Sequence, residues 1–270
     1  PSTFARGTER SRTCRRNDQP SSPKIPMEKI LNGKTILITG GTSQLGQAFV
    51  RQALAAGARV YFTYYQASQA AQTLRDQRAE GFALDLVSTS AIDEFAKQFK
   101  EKVETLDVLI HNAAAVRDHT IQNLTEEEWD YVMKVDLKAP YYLTKKLLPL
   151  FLKKDRVCRK IFMITSRAAL TGAFGTSNYA AAKAGLIGLA KSLALELGKR
   201  NILVNAVNPG FMKSRMTADL PEEVLQKHLA LSPLGRFSDP EEVARFLVYL
   251  SSDQMTQVTG QTLHFESRKS

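Results

Sequence analysis

The feature that most constrains this chain is an alternation of short apolar runs with helix-periodic segments, sustained from residue 34 to residue 265. Ile36-Leu37-Ile38 is a short apolar run that ends in a glycine turn, which suits a buried parallel strand. A helical pattern follows, with Leu45, Phe49, Ala53 and Leu54 spaced for one buried face. The same pairing recurs. Strands are expected at Arg59–Thr63, Phe82–Leu84, Leu106–His111, Lys160–Thr165, Ile202–Val207 and Thr262–Phe265. Helices are expected at Ser68–Arg78, Ala91–Lys102, Asn178–Gly198 and Pro240–Ser251, with one long helix or two between Glu126 and Leu152. Strands that alternate with helices imply a parallel sheet covered on both faces. The expectation is an α/β fold: one domain over residues 27–270, doubly wound, with a parallel sheet of about seven strands. No linker, repeat or second-domain signal interrupts it, and the length allows a sizeable core.

Two motifs carry chemistry. Residues 34–46 read Lys-Thr-Ile-Leu-Ile-Thr-Gly-Gly-Thr-Ser-Gln-Leu-Gly. Strand, glycine turn and helix form the geometry that holds a pyrophosphate on backbone N–H groups at a helix N-terminus. Gly40, Thr42, Ser43, Gln44, Leu45 and Gly46 are the candidate contacts. Further on, Tyr179 and Lys183 stand four residues apart on one helix face. A phenol has a pKa of about 10, and an ammonium one turn away favours the phenolate. Such a pair can give a proton to, or take one from, an alcohol or carbonyl. The spacing alone is common, and its weight comes from its company.

That company resembles the short-chain dehydrogenase/reductase family over about residues 33–265, a Rossmann-type fold. The resemblance rests on Thr39-Gly40 through Gly46, Asp85, Asn112-Ala113, Ser166 with Tyr179 and Lys183, and Asn208-Pro209-Gly210. Asn178–Ser192 and Val204–Phe211 are most similar to the 3-oxoacyl-carrier-protein reductases. The resemblance implies that Tyr179 donates a proton to a carbonyl oxygen while nicotinamide delivers hydride to the carbon. Ser166 would hydrogen-bond the same oxygen, and Lys183 would lower the tyrosine pKa and hold the nicotinamide ribose. Thr165, Asn112, Ala113 and Ala114 would touch the cofactor, and Pro209, Gly210, Met212 and Ser214 would lie along the nicotinamide. Asp85 would accept from the adenine amine, with the Leu86 backbone beside it.

The second strand ends Tyr61-Phe62-Thr63-Tyr64-Tyr65-Gln66, without the acid that usually receives a ribose 2′-OH. A 2′-phosphate would meet no repulsion, so NADP(H) is the expected cofactor. Positive evidence is thinner: Ser43 stands where NADP-users of the family often place Arg or Lys. Tyr64 and Tyr65 serve equally well as phosphate contacts or as aromatics covering the strand end.

Four departures from the family pattern matter. Gln44 replaces a glycine, and His111-Asn112-Ala113-Ala114 replaces Asn-Asn-Ala-Gly. Asp136 stands for the family's catalytic Asn, and Glu266-Ser267-Arg268 replaces Asp-Gly-Gly. A carboxylate at 136 accepts as the Asn does, but it adds a charge that pairs with Lys183 and opposes the phenolate. Gln44 and Ala113-Ala114 bring a second resemblance, to pteridine reductases, which however commonly carry Asp where this chain has Ser166. Three alternatives to a 3-oxoacyl thioester reductase therefore stand: a pteridine reductase, a weakly active dinucleotide-binding scaffold, and a basic nucleic-acid binder.

The formal net charge is +10. Residues 1–26 hold Arg6, Arg10, Arg12, Arg15, Arg16 and Lys24 against Glu9 and Asp18. This Ser/Pro-rich stretch is expected to be disordered, and an upstream extension is favoured over an organelle transit peptide. The remaining positive charge could attract phosphorylated or carrier-bound substrates. No nucleic-acid module is recognised, no stretch reaches the roughly 20 apolar residues of a membrane helix, and the two cysteines, Cys14 and Cys158, fit a reducing, cytoplasmic setting. The histidines show no ligand spacing, so no metal is expected; His111 and His264 read as hydrogen-bonded core or edge residues. The helix at 178–198 is apolar over more than one face, which predicts a homodimer or homotetramer.

Overall fold

Along each central strand, successive apolar side chains enter opposite layers. Ile36 and Ile38 join one core and Leu37 the other; Val108 and Ile110 oppose Leu109; Phe162 and Ile164 oppose Ile161 and Met163. A strand apolar on both sides must be roofed twice, and the computed structural model shows both roofs. It describes residues 29–66, 68–153, 155, 157–212 and 221–265. The expectations for residues 1–26, Ser214 and Glu266-Ser267-Arg268 lie outside these.

The strands are β1 (Thr35–Ile38), β2 (Arg59–Tyr64), β3 (Glu80–Ala83), β4 (Val108–His111), β5 (Arg159–Ile164), β6 (Ile202–Asn208) and β7 (Thr262–His264). All pair in parallel, in the order β3-β2-β1-β4-β5-β6-β7. The order reverses between β1 and β4, the crevice where open α/β sheets hold ligands. The helices are α1 (Gln44–Ala55), α2 (Ser68–Asp76), α3 (Thr89–Lys102), α4 (Glu126–Met133), α5 (Ala139–Phe151), α6 (Ala168–Thr171), α7 (Ser177–Leu197), α8 (Glu222–Ala230) and α9 (Pro240–Ser251). Residues of α1, α2 and α9 cover one face, and those of α3, α5 and α7 cover the other.

Two local differences from the sequence reading, and one choice it left open, have physical reasons. β3 begins at Glu80 rather than Phe82. Glycine is a poor strand former, but a Cβ at Gly81 would lie 2.4 Å from Phe62 Cζ, so glycine lets β3 close on β2 without displacing that buried ring. The preceding helix stops at Asp76, and Arg78 turns back with φ 74°. The stretch between Glu126 and Leu152 is two α-helices joined by a π turn, Lys134–Lys138, in which the Ala139 N–H donates to the Lys134 carbonyl. Pro140 explains it: proline has no N–H for the Asp136 carbonyl and its ring crowds that oxygen, so the helix widens there. Asp136 sits inside the widened turn.

Candidate active site

The glycine turn is shaped by contacts that exclude any side chain. Gly40 has φ 64°, and a Cβ there would stand 2.8 Å from Ala113 Cα. A Cβ at Gly46 would lie 2.5 Å from the Gly40 carbonyl oxygen. Ser43 caps α1, accepting from the Gly46 N–H at 3.1 Å, while the Gln47 N–H donates to the Ser43 carbonyl. The Gln44 and Leu45 N–H groups, in the first turn of α1, have no intrahelical acceptor and stand available for a phosphate. The turn therefore fits a dinucleotide. Gln44 occupies the first helical position with its side chain exposed, so it borders the turn without filling it.

Asn112 acts through the turn. Its amide donates to the Thr39 and Gly40 carbonyls, each at 3.0 Å, and to Ser43 Oγ at 3.1 Å. The Thr39 hydroxyl in turn accepts from the Asn112 and Ala113 N–H groups. This lattice locks β1 to the end of β4, with Ala114 exposed beside it. Asp85 accepts from the Val87 N–H at 2.9 Å, which fixes the loop after β3 beside half-buried Leu86. Gly210 adopts φ 78° and donates to Asn208 Oδ1 at 3.1 Å, turning the chain beyond β6 at Pro209, with Met212 packed against the core.

Ser166, Tyr179, Lys183 and Asp136 come together at the carboxyl end of β5. The Lys183 Nζ lies 3.1 Å from Asp136 Oδ2, off the axis of a well-aligned hydrogen bond, and donates to the Ile164 carbonyl at 3.2 Å. Asp136 Oδ1 accepts from the Ala115 N–H at 2.7 Å. The Lys183 ammonium stands 5.5 Å from the centre of the Tyr179 ring. Thr165 contributes from inside: it is buried, and its hydroxyl donates to the Lys183 carbonyl at 3.0 Å, fastening α7 to β5.

The electrostatics form one coupled cluster. Burial raises the Tyr179 pKa; Lys183 and a hydrogen bond from Ser166 pull it back, while Asp136 and Asp118 push it further up. Burial alone would lower Lys183, but Asp136 and Tyr179 outweigh it and hold the ammonium above the usual lysine value. Burial raises Asp136, against the opposing pull of Lys183 and the Ala115 N–H. His111 is buried behind this group and hydrogen-bonds the Thr144 hydroxyl at 2.8 Å; burial, then Lys183, depresses its pKa to about 3. It is neutral and structural. His264 meets the Asn208 amide at 3.2 Å. Among the described residues, no group of three or more His, Cys, Asp or Glu is placed to hold a metal, and no helix is long and apolar enough to cross a membrane.

Two participants escape the sequence reading. Asn178 is fully buried; its amide donates to the Arg117 carbonyl at 2.9 Å and its Oδ1 accepts from the Tyr179 N–H at 2.8 Å. It ties the loop after β4 to the start of α7, and its adjacency to Tyr179 is the available signal. Arg75, in the last turn of α2, donates to the Tyr64 hydroxyl and the Gly81 carbonyl, contacts that no helix or strand spacing announces.

Comparisons with known proteins match most of this chain. A family model described as enoyl-(acyl carrier protein) reductase matches residues 40–267. The chain is 37% identical over 244 residues to the 3-oxoacyl-(acyl-carrier-protein) reductase FabG of Aquifex aeolicus, covering 88% of this chain and 98% of the relative. It is 36% identical over 238 residues to the Thermotoga maritima enzyme of the same name, covering 86% and 96%. Among solved structures, the Pseudomonas aeruginosa RhlG/NADP active-site complex superposes with a TM-score of 0.82 at 27% identity, over 89% of this chain and 97% of that one. A Serratia marcescens short-chain dehydrogenase/reductase mutant gives 0.80 at 27% identity, over 88% and 98%.

Proposed function

The chain belongs to the short-chain dehydrogenase/reductase family, oxidoreductases that use a nicotinamide dinucleotide, and from that premise we propose that it is an NADP(H)-dependent reductase of 3-oxoacyl thioesters. The observation that carries the reading is the Ser166–Tyr179–Lys183–Asp136 cluster at the carboxyl end of β5. Tyr179 gives its proton to the substrate carbonyl oxygen, and Ser166 donates a hydrogen bond to that oxygen. When bound, the dinucleotide supplies hydride to the carbonyl carbon. Lys183 steadies the phenolate left behind and holds the nicotinamide ribose; Asp136 keeps Lys183 charged. Because Asp136 also disfavours the phenolate, Tyr179 stays protonated near neutrality, which is the form an acid needs for reduction. Gly40, Thr42, Ser43, Gln44, Leu45 and Gly46 hold the pyrophosphate, and Asp85 with Leu86 faces the adenine. Asn112, Ala113, Ala114 and Thr165 would shape the floor, and Pro209, Gly210 and Met212 would border the nicotinamide.

Two observations support the finer points. β2 ends at Tyr64 with no carboxylate, so a 2′-phosphate is not repelled. Leu170 and Phe174, in the chain between Ser166 and Tyr179, are 52% and 93% exposed; an acyl chain leading away from Tyr179 would cover them. This favours an acyl substrate over a flat polar pteridine. The two FabG relatives are, by name, reductases of carrier-linked 3-oxoacyl groups. Initial rates of NADPH and NADH oxidation with acetoacetyl thioester, dihydrobiopterin and a simple quinone test the reading. Turnover with the thioester and NADPH is expected. Turnover with dihydrobiopterin alone would replace it, and dinucleotide binding with no turnover would make the chain a scaffold.

Assembly is part of the proposal. Leu195 of α7 is 86% exposed and Tyr141 46% exposed. Met133, Leu137, Tyr141 and Leu189 line a surface groove edged by Asp130, Lys134 and Lys138. A second copy covers these surfaces in a homodimer or homotetramer. Light scattering that finds only monomer at micromolar concentration would overturn this.

A further inference from the structure

The chain that follows β4 returns to the site beside Tyr179. The buried Asn178 amide donates to the Arg117 carbonyl at 2.9 Å, and a Cβ at Gly175 would stand 3.9 Å from the His119 carbonyl carbon. Residues 117–119 therefore run along residues 175–178, which lead into Tyr179. Asp118 is the middle residue of that run, and it makes no hydrogen bond or ion pair with another described residue.

The cations on either side of it are turned elsewhere. The Arg117 guanidinium lies 4.5 Å from the centre of the Tyr131 ring and donates to the Val116 carbonyl at 2.7 Å. His119 Nε2 meets Glu128 Oε1 at 3.2 Å, and Glu128 is itself fixed by the capping box at the start of α4. Deeper in the site, Lys183 and Asp136 balance each other. The charge left over at this rim is the Asp118 carboxylate. It is open to solvent on one side, while the protein on the other side raises its pKa against the pull of His119. Its field reaches the reacting group, for with Asp136 it pushes the Tyr179 pKa up.

An uncompensated anion near a reacting carbonyl costs a neutral substrate little and repels an anionic one. Specificity of this kind comes from what a site refuses. A free 3-oxo acid carries a carboxylate one methylene away from the carbonyl that Tyr179 would protonate. In a thioester or ester the same carboxyl group is neutral. We propose that Asp118 is a specificity-determining residue that turns away free 3-oxo acids, so that the site accepts a 3-oxoacyl group only when its carboxyl is masked. The proposal rests on the reductase reading above and names the group that refuses the anion.

The test compares kcat/KM with NADPH for acetoacetyl thioester, methyl acetoacetate and acetoacetate at one pH near neutrality. Wild type should favour the two neutral substrates. Asp118→Asn should narrow that preference by about threefold to tenfold, the scale of one charge acting across several ångströms of partly hydrated protein. Asp118→Lys should narrow it further, and Asp118→Glu should keep it. Any effect of these variants through Tyr179 falls on every substrate and cancels in the ratio. Rising salt should narrow the wild-type preference more than that of Asp118→Asn. If Asp118→Asn excludes acetoacetate as fully as wild type does, or loses rate equally on all three substrates, Asp118 only shapes the loop and the proposal is overturned. If wild type takes acetoacetate as readily as methyl acetoacetate, the proposal falls while the reductase reading stands. If wild type reduces none of the three, the reductase reading falls and takes this proposal with it.

Discussion

Strand β5 carries a buried lysine at its amino end and has a second against its carboxyl end, and the two have opposite fates. Lys160, the second residue of the strand, is 2% exposed and donates to the Ser252 carbonyl at the end of α9. Lys183 is also 2% exposed and donates to the Ile164 carbonyl at the strand's last residue. Each thus meets a backbone oxygen. Only Lys183 also meets a carboxylate, Asp136, at 3.1 Å. The nearest acid to Lys160 in effect, Asp253, is taken by Lys34 at 2.7 Å. Burial consequently lowers the Lys160 pKa, with Cys158 and Asp253 offsetting only part of the fall. At Lys183, Asp136 and Tyr179 reverse the same burial effect. A buried ammonium caps a helix when only a carbonyl faces it, which suits the negative C-terminal end of α9. It becomes a fixed charge for chemistry when a carboxylate compensates its desolvation.

The comparison breaks most severely at the group Lys183 serves. Tyr179→Phe should lose at least about 10²-fold in turnover, the scale of positioned proton transfer, while keeping dinucleotide affinity. Steady-state rates beside a fluorescence titration check both halves; full activity would refute the acid assignment. No substitution around Lys160 should have such an effect.

Next in size is Lys183→Met. It leaves Asp136 buried and uncompensated, which should cost about 3–5 kcal/mol in urea unfolding. Adding Asp136→Leu should recover most of that stability without recovering turnover. If the double variant is no more stable than the single, the ion pair is not the source of the loss.

Lys160→Met is the matched substitution at the other end. It removes a cation with no carboxylate partner among the described residues and leaves the Ser252 carbonyl without its donor, an expected cost of about 1–3 kcal/mol with turnover unchanged. The pH dependence separates the two lysines further. The folded Lys160 pKa lies below the ordinary 10.5, so the unfolded chain binds a proton the folded one lacks. Its contribution to stability therefore grows as pH rises through the folded value toward 10.5. Lys183 has a raised pKa, so its contribution is complete below 10.5 and is lost as pH climbs through the folded value. Lys160→Met should flatten the alkaline gain and leave the later loss. A wild-type stability curve that Lys160→Met does not alter would end the contrast.

The smallest expected change is Asp136→Asn. Removing that charge eases Tyr179 ionisation, so the pH–rate profile should move toward lower pH with turnover kept or raised in the reductive direction. A severe loss of activity would mean that the carboxylate itself is required.

Much of this molecule is legible in its amino-acid order. The alternating pattern marks the central strands because parallel strands buried on both faces read as continuous apolar runs, and it marks the half-buried edge strands β3 and β7 by their place in the alternation. Thr39-Gly40 through Gly46 and Tyr179 with Lys183 are legible because their geometry is local: one turn, one helix face. The start of β3 is not, since Glu80-Gly81 pairs with β2 only by fitting under Phe62. Helix α8 is not legible either, because none of its residues is buried and no apolar face announces it.

The sequence by itself determined the layers, the glycine turn and the Tyr179–Lys183 pair, since each follows from periodicity or from spacing within one element; Ser166 and Asp136 followed only from the family resemblance. Tertiary structure decided what those residues face. It set Asp136 in a widened turn against Lys183, gave Asn112 to the glycine turn, left Lys160 facing a carbonyl with no carboxylate partner among the described residues, and set Arg75 between the Tyr64 hydroxyl and the Gly81 carbonyl. The physical reason is common to all four. A charge or an amide takes its meaning from partners within about 3 Å, and here those partners come from other strands and helices.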